Sequence, residues 1–202
     1  MYKRQIFDSQ ALEGELTRLN QSKPPFPLSD LHSLSEFLYE AARLARSLPD
    51  TPERLFHERV KKEIRDITSR GGTEVERLVK QRVGQDVFRQ SLMDYWNGAC
   101  AVTGLALPEM LRANHIIPWA EYTSDADRLN VCNGLLLSAN LDALFDRHVI
   151  SVSSAGEIVF SPILEEHSNQ LSQQGITQDL KLRLIPQESL PFLSQHLQRT
   201  LS

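Results

Sequence analysis

Three polar sites interrupt otherwise apolar stretches in the second half of the chain. His115 lies in ANHIIPW, Asn133 follows 18 residues later in NGLLLS, and Asp142 comes nine residues after that, with Asp146 at i+4. A histidine with an ordinary pKa near 6.5 is a competent proton acceptor at neutral pH. Asp142 and Asp146 lie in LDALFDR, which reads as one or two turns of helix, and i and i+4 project from one helix face. Two carboxylates held there repel each other unless something positive intervenes. A divalent cation is one answer, because hard metals such as Mg²⁺ take oxygen ligands and keep several waters. Arg147 or another basic residue is the rival answer.

The elements that must position these residues follow from periodicity and turn chemistry. Residues 8–20 (DSQALEGELTRLN) read as a short amphipathic helix, and the prolines of QSKPPFPLSD as a loop. Ser29 or Asp30 caps a helix over LHSLSEFLYEAARLARSL that stops near Pro49. Pro52-Glu53 opens another, through about Thr68, and Gly71-Gly72 is a hinge and a candidate boundary. Thr73 starts helical sequence running to Trp96, with a break anticipated at Gly84. Beyond Cys100 the pieces are short and apolar. VISV, a Ser-Ser-Ala-Gly turn and EIVF form a hairpin signal, and ESLPFLSQHLQRTLS a final helix. The expected class is α+β, with a mostly helical first half.

Four blocks, C-A-V-T-G, A-x-H-I-x-P-W, N-G-L-L-L and L-D-A-L-F-D-R, occur in order between Cys100 and about Pro162. Their order and wording resemble the HNH, or ββα-metal, nuclease family, in particular its bacterial restriction-type subgroup. The upstream G-Q-x-x-F-R (Gly84, Gln85, Phe88, Arg89) resembles the helix that precedes the motif in such proteins. The resemblance covers roughly residues 80–200. It implies a ββα-metal core over 100–162 with an extra β-hairpin and a C-terminal helix, within a nuclease domain at 71–202. Residues 1–70 form a separate helical region of unassigned role.

The resemblance also implies roles. His115 matches the general base, and Asn133 the central asparagine that holds the loop and positions the histidine. Asp142 matches the final letter of the motif, here Asp rather than His, and is the expected metal ligand, with Asp146 as a second. Asn114 stands where the family often supplies another ligand from Asp or His. An all-oxygen set favours one Mg²⁺ or Mn²⁺ ion over Zn²⁺. The implied activity is metal-dependent hydrolysis of DNA phosphodiester bonds in restriction or defence, with no small-molecule cofactor. Because each such site cuts one strand, a homodimer is one route to double-strand cleavage. The alternative is a DNA- or partner-binding module that keeps the fold without cutting. Arg82, Arg89, Arg112 and Arg147 are candidate phosphate contacts, with a surface salt bridge as the other reading of the first two. His148, where such proteins often have Gly, is either a half-exposed strand residue or a phosphate contact or auxiliary ligand. His32, His57, His167 and His196 have no matching partners and read as surface residues. Trp96, Trp119 and Phe145 read as packing residues, and the two cysteines as buried small hydrophobes.

Composition bounds these readings. Among 202 residues there are two cysteines, too few for a Cys₄ zinc site or a disulfide framework. No apolar stretch approaches the roughly 20 residues of a membrane helix, and MYKRQIFDSQ has no apolar core of a signal peptide, so a reducing cytoplasm is expected. The net charge of −4 argues mildly against nucleic acid, but it hides segregation: 1–53 carries −2, 54–89 carries +4 and 90–202 carries −6. The basic run is either a solvated helix face or a phosphate-contacting one.

Overall fold

The computed structural model describes residues 31–48, 50–67, 73–122 and 124–202. The helix expected over 8–20, Pro49 and the Gly71-Gly72 hinge lie outside the described residues; the helix expected to run up to Pro49 ends earlier, at Ala45. The fold is α+β. Three long helices come first: α1 (Leu31–Ala45), α2 (Asp50–Ile67) and α3 (Thr73–Tyr95). Asp50 and Glu53 in the first turn of α2 favour its start, where the helix dipole is positive. Phe56 and Val60, four residues apart and buried, turn α2 toward α3. They share one hydrophobic core with Val79, Val83, Val87, Phe88 and Leu92 of α3.

Helix α3 runs unbroken through Gly84, where a break was expected. A glycine inside a helix costs about 1 kcal/mol relative to alanine. Here it admits a neighbour: a Cβ at position 84 would meet Cη2 of Trp119 at 2.4 Å. The carbonyls that end α3 are gathered by arginines from both sides. The buried Arg43 of α1 donates to the carbonyls of Asp94 and Tyr95, and Arg46 pairs with the Asp94 carboxylate. Arg183 donates to Trp96, Ala99 and Cys100. The Arg43 bonds satisfy orphan acceptors of the last turn, and the Arg183 bonds hold the carbonyls that follow it.

Strand β1 (Leu111–His115) pairs antiparallel with β2 (Gly134–Ser138), placing Asn114 opposite Leu135 and His115 opposite Gly134. The connection includes the one-turn helix α4 (Asp125–Arg128), capped by Ser124, and a 3₁₀ turn over Val131–Asn133. All of β2 is buried, which explains why it reads as a continuous apolar run rather than an alternating one. Helix α5 (Ala139–Phe145) follows directly. The hairpin β3 (Ile150–Val152) and β4 (Ile158–Phe160) is the expected one, with strands a residue shorter. The short helix α6 (Ser168–Gln173) and the C-terminal α7 (Leu190–Leu201) complete the described chain. Cys100 is buried and its sulfur accepts from the amides of Thr103 and Ser138; Cys132 is half-buried.

His196 of α7 is not the surface residue expected: it is 1% exposed. Its ring stacks on Phe145 at 3.8 Å with planes 8° apart. Nε2 donates to the Phe145 carbonyl at 3.1 Å, so Nδ1 accepts from the Ser151 hydroxyl at 2.8 Å. A lone histidine in SQHLQRT gives no hint of this, because the partners are 45 and 51 residues away in sequence.

Candidate active site

His115, Asn114, Asp142 and Asp146 converge on one cavity of about 360 Å³, with Arg112, Ala113, Pro118 and Trp119 as its remaining walls. Strand β1 supplies Arg112 to His115, and helix α5 and its C-cap supply Asp142 and Asp146. On α5, Leu141 and Phe145 are buried while Asp142 is half-buried, and Asp146 at the C-cap is exposed. The apolar stripe therefore fixes α5 against the core and turns its acidic side to the cavity.

The histidine is held on three sides. Its Nε2 lies 2.8 Å from the carbonyl oxygen of Arg128, which can only accept, so Nε2 carries the proton and Nδ1 the lone pair. The Phe88 ring lies parallel to the imidazole at 3.7 Å, and Trp119 meets it edge-on at 5.7 Å. Burial pushes its pKa below 6.5, against the opposing pull of the Arg128 carbonyl. The group is therefore neutral at pH 7 with one nitrogen able to take a proton.

Asn133 is completely buried and touches none of the cavity. Its side chain instead reads the backbone beyond the histidine: Oδ1 accepts from the Ile117 amide at 2.9 Å and Nδ2 donates to the Ile117 carbonyl at 3.1 Å. The Ile116 amide donates to the Asn133 carbonyl. These bonds close the loop where the chain leaves β1. Arg128 fixes the other anchor, donating to Tyr122 and Asp125 with its guanidinium 5.5 Å from the Trp119 ring centre.

Asn114 is 5% exposed, and its Nδ2 donates to Asp142 Oδ1 at 2.8 Å. Its Oδ1 is buried with no hydrogen-bond partner. An orphaned amide oxygen beside a carboxylate, with a second carboxylate on the same wall, is an oxygen donor set that fits a hard divalent cation completed by water. Among the described residues, no group of three or more His, Cys, Asp and Glu is placed to hold a metal. The third donor would be the amide of Asn114.

The candidate phosphate contacts divide. Arg112 lines the cavity, oriented by bonds to the Glu109 and Leu111 carbonyls. Arg147 is exposed after α5 and donates to Ala143. Arg82 pairs with Glu63 of α2. Arg89 does neither job weighed for it: it donates to the Pro108 and Leu111 carbonyls, 2.8 Å each, fastening α3 to the start of β1. His148 is half-buried in the turn after α5, and its ring lies 4.4 Å from His196. Its φ of +54° is the left-handed backbone that favours glycine.

Residues 100–153 match the family model of the HNH endonucleases. No curated protein matches the chain.

Proposed function

We propose that this chain, whose residues 100–153 match the HNH endonuclease family model, hydrolyses DNA phosphodiester bonds with His115 as general base and one divalent ion, Mg²⁺ or Mn²⁺. A nuclease-type function follows from the family; the residue roles and the ion are our reading. The observation that carries it is the state of His115, proton fixed on Nε2 by the Arg128 carbonyl, in the wall that also holds Asp142.

Nδ1 of His115 takes the proton of the attacking water. Its depressed pKa keeps it unprotonated at neutral pH. Asn133 holds the Ile116–Ile117 loop and so the end of β1. Asp142, Asp146 and the Asn114 amide oxygen would hold the ion, which when bound neutralises developing charge on the phosphate and on the leaving 3′-oxygen. Arg112, in the cavity wall, and Arg147 contact flanking phosphates. Arg59, Lys61 and Lys62, exposed on α2, extend that contact outside the HNH stretch. Restriction or defence is the biological setting, supported by the wording of the four sequence blocks.

The test is supercoiled plasmid incubated with the purified chain and Mg²⁺ or Mn²⁺, with and without EDTA. Metal-dependent nicking by wild type and its loss in His115→Ala are expected. Equal cutting by the two proteins would overturn the assignment of the base. One observation favours a second reading, a non-cleaving module: the third donor is the neutral Asn114. That reading requires DNA retention without turnover under every metal condition.

A further inference from the structure

The sequence block Gly84-Gln85-x-x-Phe88-Arg89 lies outside the stretch that matches the family, on a helix that contributes no side chain to the cavity wall. Even so, it reaches His115 through one ring. We infer that Phe88 is a positioning residue for His115: it fixes the plane of the imidazole and thereby the direction of Nδ1. The inference rests on the reading of His115 as the base.

Three observations support it. First, the rings are 8° from parallel at 3.7 Å, close enough that rotation about the Cβ–Cγ bond of His115 drives its edge into Phe88. The Arg128 carbonyl fixes only one atom of the imidazole, Nε2. A stacked face restricts the tilt about that anchor. Second, Phe88 itself has nowhere to go. It is 1% exposed, and its Cζ lies 2.6 Å from where a Cβ on residue 134 would be. Third, residue 134 is the cross-strand partner of His115. The glycine opposite the histidine leaves the space that brings a helix ring beneath the imidazole. Arg89, next in the chain, ties the same helix turn to the Leu111 carbonyl at the other end of β1. The stack and the strand therefore move as one unit.

A misplacement of about 1 Å at a reacting group costs on the order of 100-fold in rate. Loss of the stack permits tilt rather than full displacement, so Phe88→Leu is expected to lower kcat by roughly 10-fold or more with KM little changed. Val60→Ala, a core truncation at the α2–α3 contact, controls for destabilisation and is expected to keep the wild-type kcat. A readout independent of turnover uses NMR on the metal-free full chain at pH 8. His115 ring protons are expected upfield, in the Phe88 ring current, with direct cross-relaxation to Phe88 ring protons. Phe88→Leu abolishes both, and Phe88→Met, which keeps bulk without an aromatic face, does the same.

Wild-type kcat in Phe88→Leu, alongside an inactive His115→Ala, overturns the positioning role and leaves the base intact. Wild-type activity in His115→Ala overturns the base and the inference with it. If Phe88→Leu does not fold, the wild-type spectrum decides: absence of cross-relaxation between the two rings overturns the stack.

Discussion

Acidification is expected to loosen the C-terminal anchor of the site through His196. Burial first, then the neighbouring His148, depress its pKa from 6.5 to about 4, and the Phe145 carbonyl opposes that only in part. In the folded chain the ring is neutral, whereas the unfolded chain takes up a proton near pH 6.5. The unfolded state therefore binds more protons between these values, and stability falls as pH is lowered through them. At about 1.4 kcal/mol per pH unit, the gap from 6.5 to about 4 is worth about 3 kcal/mol in all. Roughly 2 kcal/mol of it is gone by pH 5. With the ring 1% exposed, solvent screening removes little of this. Urea denaturation at intervals from pH 7.5 to 5, on wild type and His196→Gln, measures it. The variant is expected to be less stable at pH 7.5, having lost the stack on Phe145, and to show a flatter curve between pH 6.5 and 5. Coincident slopes for the two proteins would refute the reasoning.

Other expectations concern the site. Asn133→Ala strands the buried amide and carbonyl of Ile117 and is expected to cost about 1–3 kcal/mol for each unpaired group, read by chemical denaturation; a loss below 0.5 kcal/mol, taken as an approximate threshold, would show that the loop closes without it. Asp142→Ala is expected to weaken Mn²⁺ binding, followed by calorimetry on the metal-free chain, and an unchanged isotherm would remove Asp142 from the ligand set. Neutralising Arg59, Lys61 and Lys62 to Gln is expected to reduce the slope of log affinity against log salt by roughly three, with kcat at saturating DNA unchanged. A wild-type slope would mean that this face of α2 is only solvated.

The local elements were legible because they obey local rules. The apolar periodicity of α1, the turn signal between β3 and β4, and the i,i+4 pair of Asp142 and Asp146 all belong to short windows. The convergence of Asn114, His115, Asp142 and Asp146 on one cavity was legible only through the order of four motif blocks, since the spacings alone do not bring β1 and α5 together. What could not be read were contacts made by backbone or across long separations. No residue type at position 128 announces that its carbonyl will hold His115. Gly84 looked like a helix break because propensity is local, while the indole that fills its place arrives from 35 residues downstream. Arg89 reads as a phosphate contact or a surface ion pair because charge is visible in a sequence and the carbonyls of Pro108 and Leu111 are not. His196 was missed for the same reason.

Arg183 and His196 lie well past residue 153, yet one gathers the carbonyls between α3 and Cys100 and the other clasps the end of α5. Phe88 comes before residue 100 and braces β1. Recombination that carried only the recognisable stretch into another protein would transfer the reacting groups without their supports. The inheritable unit is therefore longer than the motif, reaching from α3 to α7. In exchanges between genes, crossovers inside that span should be tolerated only where both parents share the ring beneath the histidine and the imidazole on Phe145.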